Sequence, residues 1–108
     1  MSRQAMLDDP ASAFPQLQQF LGGYFHQDWP VDSDGWEEVA ADFVAESPVA
    51  VVTETAAELR TLLAAGYGDV ELEAIIEGLG GDVDPTAFNL RADDWLKALL
   101  ESLARAGG

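Results

Sequence analysis

A chain of 108 residues has room for one hydrophobic core, which excludes two-domain enzymes and long repeat arrays. Its formal charge is −15, from 20 Asp and Glu against five Lys and Arg, yet 48% of its residues are hydrophobic, too many for a disordered acidic chain. With no cysteine there is no disulfide, thiolate nucleophile or cysteine-ligated metal.

The hydrophobic spacing predicts helix, turn, helix throughout. The expected fold is all-α: a compact single-domain bundle of about five helices over residues 1–108, with 1–12 as a loosely ordered N-terminal segment. The first helix is expected over Phe14 to Phe25, with Pro15 in its first turn and Phe14, Leu17, Phe20, Leu21, Tyr24 and Phe25 on one side. Gly22 and Gly23 interrupt it, which points either to close packing against a neighbour or to fraying. His26 to Asp34 reads as an acidic connector. Asp34 and Glu37 have capping-box spacing ahead of a helix from Gly35 to Glu46 that gathers Trp36, Val39, Ala40, Phe43 and Val44.

Ser47 and Pro48 are expected to cap and open a helix to about Ala65, with Val49, Val52, Ala56, Leu59, Leu62 and Leu63 inward, ended by Gly66 and Gly68. Asp69 is expected to cap a fourth helix to about Leu79, with Leu72, Ile75, Ile76 and Leu79 as its apolar stripe. A second acidic loop follows from Gly80 to Pro85. The last helix, from about Arg91 to Ala104, carries Trp95, Leu96, Leu99, Leu100 and Leu103, with Asp93 and Asp94 placed to suit the helix dipole. No apolar stretch approaches the roughly 20 residues that span a bilayer, and the start MSRQAMLDDP has no signal h-region. A cytoplasmic protein is expected.

Charge is arranged in blocks. Eleven acids and no Lys or Arg lie between Arg3 and Arg60, and six acids with no base lie between Arg60 and Arg91. Such a field repels phosphate backbones and anionic membranes, so neither nucleic acid nor membrane is expected as a partner. It suits a basic protein partner, although solubility alone is the other reading of the same charge.

Catalytic groups are scarce: one histidine, one lysine and no GxSxG, phosphate-loop or HExxH pattern. His26 near Asp28 has the makings of an oriented base but no companion groups, and no enzyme is expected. A calcium loop fails by register. With Gly35 at its sixth position, Asp32 and Asp34 fall at three and five, but position one is Pro30 and position twelve is Ala41. No metal or cofactor is expected. Phe20, Trp36, Phe43 and Trp95 read as core, while Trp29 either plugs the bundle or anchors an interface.

The stretch FPQLQQFLGGYFHQDWPVDSDGW contains Leu21, Gly22, Tyr24, Phe25, His26, Gln27, Asp28 and Trp29 as an L-G-x-Y-F-H-Q-D-W string, followed by an acidic turn and Trp36. In this string the chain resembles the α-helical immunity proteins of bacterial contact-dependent growth inhibition, the CdiI type. Leu79-Gly80, Asp84-Pro85 and Trp95-Leu96 extend the similarity more loosely. The resemblance implies an antidote that binds the basic C-terminal toxin domain, often a nuclease, of a cognate CdiA-type effector and blocks it stoichiometrically. The alternative is an acidic adaptor or nucleic-acid mimic that occupies the groove of a basic host enzyme. Tyr24, Phe25, His26, Gln27, Trp29 and Trp36 then form a motif that is structural or interfacial. Asp28, Asp32, Asp34, Glu37 and Glu38 are the expected toxin-binding acids, with Glu71, Glu73, Asp82 and Asp84 as a second patch. A monomer or weak dimer is expected.

Overall fold

The computed structural model describes residues 7–25 and 35–107, and among them it contains helices and no strand. In chain order these are α1 (Pro10–Ala13), α2 (Pro15–Tyr24), α3 (Trp36–Glu46), α4 (Val49–Ala64), α5 (Asp69–Gly78), a 3-10 turn (Pro85–Phe88) and α6 (Ala92–Gly107). The amphipathic last helix is the axis of the bundle: α6 packs most extensively on α4, then on α3 and α5, while α2 lies on α4. This is the expected all-α single-domain bundle.

One spine of rings ties three helices together. Phe20 of α2 stacks on Phe43 of α3 with centroids 4.1 Å apart. Phe25 lies edge-on to Phe20 and to Trp95 of α6, both at 5.5 Å, and Trp36 meets Trp95 at 6.1 Å. Phe20, Phe25 and Trp95 are completely buried, so they supply much of the apolar area that drives folding. Trp36 is only half-buried and thus sits at the open end of the spine, not in its centre.

The glycine pair in α2 divides. A Cβ on Gly22 would lie 3.3 Å from the Leu79 carbonyl oxygen, and one on Gly80 would lie 3.1 Å from Gly22 Cα, whereas Gly23 meets nothing within 4 Å. Gly22 therefore permits backbone-to-backbone contact between α2 and the turn after α5. Gly80, at φ +88°, also supplies the left-handed conformation that ends α5.

Several local expectations are corrected. Gly35 holds the N-cap position of α3, one residue after Asp34, which lies outside the described residues. Pro48 holds that position in α4, and Ser47 instead ends α3. Gly68, not Asp69, precedes α5, because the Glu71 carboxylate accepts the Gly68 N–H at 3.1 Å while Asp69 accepts from Arg91 Nε at 2.9 Å. Val49, expected inward, is 70% exposed: it is the first residue of α4, at the corner with α3, and the buried stripe begins at Val52.

The start of α2 is capped from another helix. Pro15 has no N–H to satisfy, and the half-buried Glu58 of α4 accepts the Gln16 N–H at 3.0 Å and the Leu17 N–H at 3.0 Å. A carboxylate there also favours the positive end of the helix dipole. Glu58→Ala is expected to destabilise the domain by about 1–3 kcal/mol in urea unfolding. Glu58→Gln, which keeps a carbonyl acceptor, should recover part of that loss; equal stability of all three proteins would show that the cap contributes nothing.

Candidate functional site

The second acidic loop owes its position to the ring-rich string. Phe25 is anchored by its buried side chain, and its carbonyl oxygen accepts the Asp82 N–H at 2.7 Å, which fastens the loop after α5 to the end of α2. Two residues on, Asp84 Oδ1 accepts the Thr86 N–H at 3.1 Å and the Thr86 hydroxyl at 2.6 Å, starting the 3-10 turn. Asn89, in the left-handed conformation at φ 60°, ends it.

These anchors form an open groove of about 330 Å³ lined by Glu73 and Glu77 of α5 and by Gly81, Asp82, Val83, Asp84 and Pro85. Four carboxylate residues face one space, and no Lys or Arg is among the described residues that line it. Among the described residues no group of three or more His, Cys, Asp or Glu is disposed to hold a metal ion. Carboxylates spread this way suit several cationic side chains at once, each met by its own partner.

At the other end of the 3-10 turn lies a second open groove, about 490 Å³, lined by Gly35, Trp36, Glu37, Phe88 and Leu90. Trp36, Phe88 and Leu90 are half-buried and give it apolar walls, with exposed Glu37 and neighbouring Glu38 in the first turn of α3. A 3-10 helix rises about 2 Å per residue, so the four-residue turn keeps the two grooves close neighbours. The first groove is acidic and the second mixed.

Among the expected site residues, Glu73, Asp82 and Asp84 come together in the first groove, while Glu37 lines the second, with Glu38 beside it in the first turn of α3. Glu71 is not among the described lining residues, and its carboxylate is engaged by Gly68. Glu77 was not expected. Its only sequence signal is its place four residues after Glu73, one helical turn on. His26, Gln27, Asp28, Trp29, Asp32 and Asp34 lie outside the described residues.

Tyr24 of the string has a structural part to play. Its hydroxyl donates to Glu46 Oε2 at 3.0 Å and its ring lies edge-on to Phe43 at 5.3 Å, pinning α2 to the end of α3. Burial, then the hydrogen bond and negative charge of Glu46, hold the phenol pKa above the ordinary 10.0. A raised phenol pKa stabilises the fold below the unfolded value and ceases to do so as pH climbs through the folded one. In a Tyr67→Phe background, the phenolate absorbance of Tyr24 should therefore rise at higher pH than in the unfolded chain. Glu46→Gln should move that midpoint down; an unmoved midpoint would rule out the pairing.

Among the described residues no helix is long and apolar enough to cross a membrane. The model of the family described as CdiI immunity protein matches residues 13–103, most of the chain. No curated protein and no solved structure matches it.

Proposed function

The chain belongs to the CdiI immunity protein family, and from that premise we propose that it neutralises the C-terminal toxin domain of a cognate CdiA-type effector by stoichiometric occlusion in the cytoplasm. The toxin is a basic protein, in our reading a nuclease. It seats its cationic surface across the two grooves beside the 3-10 turn. The chain binds and does not catalyse, with no metal or cofactor.

The observation that carries this reading is the Glu73, Glu77, Asp82 and Asp84 groove. Surfaces that grip nucleic acid are cationic because phosphate binding demands it, and an acidic groove is complementary to such a surface. Carboxylates close together repel one another, and a cationic partner relieves that repulsion on binding. Asp28, Asp32 and Asp34, which precede Glu37 and Glu38 in the chain, extend the same contact. The Tyr24 to Trp36 string acts mainly as scaffold, with Phe25 positioning Asp82.

The test is co-expression with the toxic C-terminal region encoded by the neighbouring effector gene. Survival of the host together with isolation of a one-to-one complex is the expected outcome. Death of the host with no complex, from a folded and abundant chain, would set the proposal aside in favour of an acidic adaptor.

A further inference from the structure

Resting on the proposed function, we infer that a third groove, where the ends of α2 and α5 meet, receives an arginine side chain of the toxin. It is open, has a volume of about 560 Å³, and is lined by Gly22 and Gly23 of α2, Glu77 and Gly78 of α5, and the Leu79-Gly80 turn. Its position follows from two glycines. Gly22 and Gly80 let the backbones touch, which brings the C-terminal ends of both helices to one place.

Negative potential converges there from three sources. The C-terminal end of a helix carries about half a negative charge, and here two such ends adjoin with no basic residue in the last turn of either. After α5 the N–H of Leu79 turns to the carbonyls of Ile75 and Ile76, that of Gly80 to Glu77, that of Gly81 to Ile76 and that of Asp82 to Phe25. The Gly78 and Leu79 carbonyls receive none of them. Glu77 adds a full charge, and it forms no ion pair with a described residue. The remaining lining residues, Gln18 and Gln19, are neutral, so no cation in the lining offsets this charge. Glu77 also lines the acidic groove, so the two grooves share a carboxylate and a basic toxin surface seated on one reaches the other.

Gly23 argues for a flat cation. Glycine weakens a helix relative to alanine, and Gly22 has a reason for it in its contact with Gly80. Gly23 has none inside the domain: it is exposed, its φ is not positive, and a Cβ there would meet nothing within 4 Å. Its missing side chain leaves bare backbone along the groove. A planar guanidinium can lie against such a strip and donate to several oxygens at once, with Glu77 as its counter-charge. A lysine ammonium is a point charge without that plane.

Two measurements test it. Acetyl-arginine amide, titrated into the isotopically labelled full chain, shifts the NMR amide resonances of Gly22, Gly23, Gly78 and Gly80 and leaves that of Gly66, ahead of α5, in place. The shifts persist when Glu73→Gln, Asp82→Asn and Asp84→Asn are combined, because none of those residues lines this groove. They vanish in Gly23→Lys, whose side chain has room in the fold and carries the ligand's own charge into the groove. In the toxin complex, Gly23→Lys weakens affinity about tenfold or more, while Gly23→Glu, of comparable reach and opposite sign, stays within about threefold of wild type. Glycine resonances that move no more than Gly66, a complex indifferent to Gly23→Lys, or equal losses from Gly23→Lys and Gly23→Glu overturn the inference and leave the function standing. A folded wild type that binds no toxin overturns the function and this inference with it.

Discussion

Trp95→Ala is expected to lower the stability of the domain by about 3–5 kcal/mol, the largest effect of any single substitution considered. Trp95 has no solvent exposure, and its indole lies edge-on to both Phe25 and Trp36. Removing it opens a cavity where α6 meets the ring spine, at the point from which Phe25 fixes Asp82. Against a total stability of about 5–15 kcal/mol for a domain of this kind, such a loss leaves a substantial unfolded population on mild heating. Trp95→Phe should cost much less. The indole Nε1 is buried with no hydrogen-bond partner among the described residues, so phenylalanine gives up volume but no hydrogen bond and removes an unsatisfied donor. Urea unfolding of the three proteins measures both effects. A Trp95→Phe loss as large as that of Trp95→Ala would mean that the indole N–H is satisfied in solution.

Replacing Glu73, Glu77, Asp82 and Asp84 together by their amides is expected to slow association with the toxin about ten- to a hundredfold at low salt and to flatten its salt dependence. The fold should survive. Asparagine at position 84 retains an oxygen that can accept from Thr86, and the Asp82 contact to Phe25 uses the backbone N–H, which substitution leaves in place. Removing four like charges from one groove also relieves repulsion, so stability should hold or rise. The corresponding amides of Asp32, Asp34, Glu37 and Glu38 test the first patch in the same way. A folded variant of either patch with unchanged association would remove that patch from the interface.

Helices were legible in the sequence wherever apolar residues kept a helical period between glycine stops, as with Leu72, Ile75 and Ile76 ahead of Gly80. Their ends were less so. Asp34, Ser47 and Asp69 are each good capping residues, but a cap depends on where the preceding segment leaves the chain, and at α5 the Glu71 and Arg91 side chains compete for the local donors and acceptors. The Glu58 cap on α2 could not be read, because it joins residues 42 apart and local pattern carries no information about such a pairing. The candidate site was legible as acidity near Asp82 and Asp84. Its shape was not, since Glu77 enters by lying on the groove-facing side of α5, and the loop that carries Asp82 and Asp84 is shaped by the backbone bond to Phe25 and by the 3-10 turn.

The central claim is that this chain recognises its toxin through acidic grooves, and the association rate of the purified pair across a range of ionic strength tests it most directly. A rate that falls steeply, by about tenfold or more from low to physiological salt, with slow dissociation throughout, is the result expected. Tight binding with the same association rate at every salt concentration would contradict it and move recognition to the apolar walls around Trp36 and Leu90.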